Sequence, residues 1–382
     1  MNIKNKRKPL SITWILCVCI TILYALSLTF LFIEQSLNWT KYGSDLLTHI
    51  QFGLSGKSSY SLMYILLSFL WQFPHHSFLV AIFLTALSLL SIYLTFILLK
   101  YLLPQVKKEN LYALSLICNM YMPLYIPYFN DYPYLGLLSF NLFHNPTYIA
   151  MKPLSILSII LFVRLMDKYH IKSISFSEWV CFSFSLFITT WFKPNFMFGF
   201  APCMLIIMIV DFFRGKGKKI LNYIVFGTTV FPSLLLMLWQ RTQLFDDSNG
   251  LGFGFLKVLR LFSKNPCMSL MLSMAFPLTV LLFNYKSLIK DKIYRFSWLF
   301  TLVNLSIFAF IHENGVRQAD GNLVWGAQLA VGILFTISIC KFINTIYSKN
   351  IRYIIIVSSV LGMHVFCWIN YYIRYLESGV YL

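Results

Sequence analysis

Acidic residues are scarce in this chain, and where they fall is informative. Thirteen Asp and Glu stand against 31 Lys and Arg in 382 residues, 58% of them hydrophobic. Several of the acids sit in short polar segments at the mouths of apolar runs. Asp45 lies in Gly43-Ser44-Asp45-Leu46-Leu47-Thr48-His49, and Asp131 follows Phe129-Asn130. Glu313, Arg317 and Asp320 share the segment 312–322 with His312 and Asn322. A carboxylate at the edge of an apolar phase suits a general base that takes a proton from an attacking hydroxyl. Asp45 is the first candidate, with His49 four residues on and on the same face of a helical turn. An ordinary solvated loop aspartate is the competing reading at Asp45. Asp131 is the second, able to orient an acceptor or a metal, and the competing reading for its region is a helix cap at Asn145-Pro146-Thr147.

The cations supply the complementary chemistry. Lys152 lies inside the apolar edge of a span, where an ammonium needs an anion. Lys193 stands beside Pro194 at a break in an apolar run, where it could hold a phosphate or simply snorkel to the surface. Arg317 is four residues from Glu313 and suits a diphosphate or phosphosugar, or else a structural ion pair. His144 precedes Asn145-Pro146-Thr147, a sequence that also caps a helix well. Trp325 closes the group at the mouth of the next span. The spacing of Glu313, Arg317 and Asp320 fits one helix face, against which stand the turn signals Asn314-Gly315 and Asp320-Gly321.

These residues must be positioned by membrane helices. The mean hydropathy is +0.71 and charged residues are 12%, a composition that excludes an ordinary water-soluble domain. The long unbroken apolar runs lack the period-two alternation of barrel strands. The chain therefore reads as an all-α polytopic membrane protein, a single integral domain over 1–382. Eleven spans are expected, at 12–33, 77–103, 111–128, 147–166, 177–192, 196–213, 220–239, 268–284, 296–311, 323–346 and 351–369. The first follows the basic Met1–Lys8 and is expected to be retained rather than cleaved.

This topology puts the N-terminus in the cytoplasm, and each cytoplasmic segment then carries at least three Lys or Arg, as the positive-inside rule asks. The net charge of +18 is thus spread over short loops facing anionic lipid, and a nucleic-acid partner is not expected. The external loops are about 34–76, 129–146, 240–267 and 312–322. Tyr60–Phe73 is too short to cross and is expected to lie in the interface; Asp246 to Gly254 reads as a flexible loop. None of the eight cysteines forms a CxxC pair, and they read as small buried hydrophobes.

A first span, then a long external loop with an early Asp and an interfacial helix, then about ten more spans, resembles the GT-C superfamily of membrane glycosyltransferases. The resemblance rests on architecture, on Asp45, on Asp131 and on the charged patch at 312–322. It is nearest to the small bacterial members that build or decorate surface polysaccharide or teichoic acid. It implies a plasma-membrane enzyme with its active site outside, moving a sugar from an undecaprenyl-phosphate-linked donor to a glycan acceptor. Asp45 would be the base. Arg317, Lys152 and Lys193 would bind the carrier phosphate, and Glu313 and Asp320 would position the sugars. His49, His144 and Trp325 would line the pocket. The resemblance assigns no metal ligands and settles no cofactor, leaving a divalent metal open. Two other readings remain: a polysaccharide polymerase of the O-antigen or capsule type, and a flippase or transporter of lipid-linked oligosaccharide.

Overall fold

The computed structural model describes residues 11–56, 60–215, 218–244 and 250–380. Met1–Lys8 and the acidic turn at Asp246 and Asp247 lie outside the described residues. The elements in chain order are α1 Ile12–Leu37, α2 Leu46–Leu54, α3 Leu62–Trp71, α4 His76–Leu102, α5 Lys108–Asn119, α6 Pro146–Met166, α7 Phe176–Phe192, α8 Asn195–Arg214, α9 Ile220–Gly227, α10 Phe231–Leu244, β1 Leu251–Phe253, α11 Pro266–Ser273, α12 Ala275–Asn284, α13 Ser287–Lys290, α14 Lys292–Phe310, β2 Ile311–Glu313, α15 Val324–Thr345 and α16 Ile351–Ser378. The two short strands pair antiparallel, with Gly252 opposite His312.

Among the described residues, eight helices are long and apolar enough to cross a membrane, or nine if α11 and α12 count as one bent span. The chain is therefore a helical multi-pass membrane protein. Polar side chains start these helices where the backbone N–H groups lack partners. Ser11 accepts from Trp14 N–H at α1, Ser175 and Glu178 form a capping box at α7, and Asn145 caps α6 with Pro146 in its first turn. The bundle is built around α15 and α6, whose most apolar windows are 89% and 72% buried, whereas α16 shows 22% and turns most of its surface outward. Gly332 lets α15 approach closely: a Cβ there would stand 2.0 Å from the Phe140 ring.

Two of the expected spans take a different form. The run 111–128 is not one helix, since α5 stops at Asn119. Pro123, Pro127 and Pro133 deny the continuing chain a helix. The extended segment stays inside the bundle because its polar backbone finds partners there, as membrane depth demands. Met122 N–H donates to the His364 carbonyl, Leu124 N–H to Leu272, Leu138 N–H to Ser273 Oγ, and Asn141 Nδ2 to the Tyr121 carbonyl. The run 268–284 is α11 and α12, bent by 70° around Met274. The run 177–192 stands as α7 where it is expected, a helix of 17 residues. Tyr60–Phe73 gives the ten-residue α3, too short to cross.

Candidate functional site

Asp45, α6 and the α7–α8 junction meet at one end of the bundle. Asp45 sits just before α2, and its N–H donates to the His144 carbonyl at 2.9 Å. Its Oδ2 accepts from Asn145 Nδ2 at 2.6 Å. The carboxylate is only partly buried, and Oδ1 makes no hydrogen bond among the described residues. Asn145 uses its other atom on the α6 side, where Oδ1 accepts from Tyr148 N–H at 2.9 Å and from Thr147 Oγ1 at 2.7 Å. Lys193 closes the arrangement. Its Nζ lies 2.9 Å from Thr147 Oγ1, 3.4 Å from Asn145 Oδ1 and 4.6 Å above the Trp325 ring. Pro194 ends α7 at this lysine, so the break in the apolar run aims Lys193 at the N-terminus of α6.

The Arg317 group lies beside this one. Glu313 ends β2 and is 8% exposed; its Oε1 faces Arg317 Nη2 at 3.4 Å, and its Oε2 accepts from Asn322 Nδ2 at 2.6 Å. Asp320 Oδ2 lies 4.0 Å from Arg317 Nε. The segment is a strand followed by a tight 3-10 turn over Gly315–Asp320, not the α-helix that the spacing allowed. Gly315 at φ 72° and Gly321 at φ 60° take up the left-handed conformations that bracket the turn. Within it, Arg317 and Asp320 are three apart and so stand above one another. Asn322 ties the group to α8, its carbonyl accepting from Asn195 Nδ2 at 2.5 Å. A cleft of about 190 Å³, open mouth included, is lined here by Glu313, Arg317, Gly321, Asn322 and Val258 among others.

Burial sets the charge states. His49 is held down to about 3, chiefly by burial, with Asp45 pulling the other way and Lys193 adding to the depression. His144 is held down to about 4 by burial, opposed by Asp45. Both rings are therefore neutral near neutral pH. Lys193 is lowered to about 8 by burial, against the attraction of Asp45 and Glu313. Burial raises Asp320, Arg317 opposes it, and Asp45 adds to the rise.

Two tyrosines that sequence reasoning missed connect the halves. Tyr60 and Tyr64 hydroxyls lie 3.1 Å apart. Burial raises both; Arg317 lowers each in opposition, and Asp45 acts on Tyr64. The His49 ring packs against Tyr64 at 4.8 Å, and the His144 ring lies 5.8 Å from Trp325.

The structure thus brings together Asp45, His49, His144, Lys193, Glu313, Arg317, Asp320 and Trp325. It leaves two candidates elsewhere. Asp131 is half exposed and forms an ion pair with Lys264 at 2.6 Å, on the loop before α11. Lys152 lines a separate cleft, together with Tyr24, Ser88, Ser91, Asn119 and Asn141. The sequence reads Asn145 and Thr147 as part of a helix cap and gives Asn322 no role. Asn145 does cap α6, and it also bridges Asp45 and Lys193. Its amide carries a donor and an acceptor, which was the signal available in the sequence. Among the described residues, no group of three or more His, Cys, Asp or Glu is placed to hold a metal ion. Compared with known proteins, the chain matches no family model, no curated protein and no solved structure.

Proposed function

We propose that the chain is an extracytoplasmic glycosyltransferase of the cell membrane, moving a sugar from an undecaprenyl-phosphate-linked donor to a cell-surface glycan. The observation that carries this reading is the Asn145 amide, whose Nδ2 grips the partly exposed Asp45 carboxylate at 2.6 Å while its Oδ1 lies 3.4 Å from the half-buried Lys193 ammonium. In this reading Asp45 takes the proton of an acceptor hydroxyl as its oxygen attacks the anomeric carbon. The bond from that carbon to the carrier phosphate breaks, and the phosphate leaves with the electron pair. Lys193 and Arg317 stabilise the charge it gains. A positioned base is worth about 10²–10⁴ in rate, and an aimed donor or cation about 10²–10³. The buried neutral histidines and Trp325 supply the apolar and aromatic walls that sugar faces pack against.

A transport reading has one observation in its favour. Helices broken near mid-membrane are common at transporter binding sites, and here α11 and α12 bend by 70° while α5 stops part-way.

The experiment is a surface-glycan analysis in a strain lacking this protein, complemented with wild type, Asp45→Asn or Arg317→Ala at matched membrane levels. Loss of one sugar with the backbone intact is the expected result. Loss of chain length would assign a polymerase. A lipid-linked intermediate held on the inner face would assign a transporter. Full restoration by both variants would overturn the site.

A further inference from the structure

Lys152 has a setting of its own. It follows Thr147 by five residues of α6, which places it about 7.5 Å further along the axis and about 140° around it. It therefore faces away from the Lys193 side of the helix. Its Nζ donates to Asn141 Oδ1 at 2.6 Å and lies 4.2 Å above the Phe140 ring. No ion pair among the described residues includes it. An ammonium in the apolar phase with one acceptor and one ring face is under-compensated, because three donors and a full charge ask for more.

The space beside it is a cleft of about 290 Å³, open mouth included, between α1, α4, α5 and α6. Tyr24, Ser88, Ser91, Asn119, Asn141 and Lys152 supply its polar lining. Two of these atoms are unused. The Tyr24 hydroxyl makes no hydrogen bond among the described residues, and Asn119 Oδ1 is buried without a partner. Ser88 and Lys152 alone among the lining residues keep appreciable accessible surface, which puts the mouth on their side.

We infer that this cleft is a second anion site, built for a phosphate monoester or phosphate headgroup at membrane depth. Lys152 Nζ and the Tyr24 hydroxyl donate to phosphate oxygens, and Asn119 Oδ1 accepts from a P–OH. The inference is independent of the glycosyltransferase reading, because it uses none of the residues around Asp45.

The test measures binding to the purified full-length protein in neutral detergent, for wild type, Lys152→Met, Lys152→Arg, Lys193→Met, Arg317→Ala and the double variant of Lys152→Met with Lys193→Met. The probes are inorganic phosphate and dodecyl phosphate, with dodecanol as the uncharged control. Methionine keeps the length and apolar stem of the lysine, so the fold has little reason to fail. Lys152→Met is expected to weaken binding about 10- to 100-fold, the worth of one charge-assisted hydrogen bond. Lys152→Arg keeps the charge and retains most of the affinity. Lys193→Met and Arg317→Ala are expected to remove only the phosphate bound at the Asp45 site, and to leave the Lys152-dependent binding within about twofold, as for sites without shared partners. Binding of dodecyl phosphate alone would assign a lipid headgroup, and binding of both probes a free phosphate as well. The inference is overturned if wild type binds neither probe. It is equally overturned if dodecanol binds as well as dodecyl phosphate, or if adding Lys152→Met to Lys193→Met weakens the remaining phosphate binding by less than about twofold.

Discussion

Asn145 should be the most informative single position in this protein, because one side chain does two separable jobs. As the cap of α6, its Oδ1 satisfies Tyr148 N–H. As a cross-link, its Nδ2 holds Asp45 at 2.6 Å. Losing a cap costs about 1 kcal/mol. A hydrogen bond to a charged group contributes about 1.5–3 kcal/mol. The 3.4 Å contact with Lys193 is long and is counted as nothing. Asn145→Ala removes both jobs and should cost about 2.5–4 kcal/mol. Serine caps helices as well as asparagine does but is too short to reach Asp45. Asn145→Ser should therefore cost only the cross-link, about 1.5–3 kcal/mol.

The assay is denaturant unfolding of the full-length protein in mixed micelles for wild type, Asn145→Ser, Asp45→Ala and the double variant. If the amide truly grips the carboxylate, the two losses are not additive. A coupling of about 1.5 kcal/mol or more is expected, within the range seen for directly bonded pairs. A coupling below about 0.5 kcal/mol, the scatter of independent sites, would refute the bridge. The proposed function would then lose the observation that carries it. If the coupling is present but Asn145→Ser keeps full activity, the bridge is structural and Asp45 needs no positioning from it.

Other consequences follow from charge and packing. Lys193 titrates at about 8 in the folded state against an ordinary value of 10.5. Between those values the unfolded chain binds the extra proton, so stability should rise with pH across that window in wild type and not in Lys193→Met, by thermal unfolding. Anion affinity at the Asp45 site should fall as pH passes 8, and Lys193→Arg, which stays charged, should flatten that profile. His144 titrates at about 4 against 6.5; between those values the unfolded chain again binds the extra proton, so stability falls as pH drops from 6.5 towards 4, and His144→Gln should lose part of that slope. Gly332→Ala would put a Cβ 2.0 Å from Phe140. It should cost about 1–3 kcal/mol despite alanine's better helix propensity, measured by the same micelle unfolding.

The sequence was most legible where one physical rule acts alone. Long apolar runs must be helices in a membrane, since no other open structure satisfies its backbone there. That argument placed α1, α4, α6, α8, α14, α15 and α16 close to where they stand. It failed at 111–128 because hydropathy reports what a segment touches, not how its backbone is bonded. The residues after Asn119 are apolar and buried, yet their N–H and C=O groups are satisfied by His364, Leu272, Ser273 and Asn141 from elsewhere in the chain. Those partners lie up to hundreds of residues away, and no local pattern announces them.

The site shows the same division. Charge in an apolar setting singled out Asp45, Lys193 and the Glu313–Arg317 pair, which the fold gathers. Asp131 carries the same charge at the same kind of loop, and it pairs with Lys264 instead. What separates the two carboxylates is not their own surroundings in sequence but the partner each meets. Asn145 waits across the fold for Asp45, and a solvated lysine for Asp131. A scan for rare charges finds the candidates; the uncharged amides that bridge them decide which charges work together. Asn145 is that bridge here, at a cap where an asparagine would stand in any case, while Asn322 ties Glu313 to Asn195 on α8.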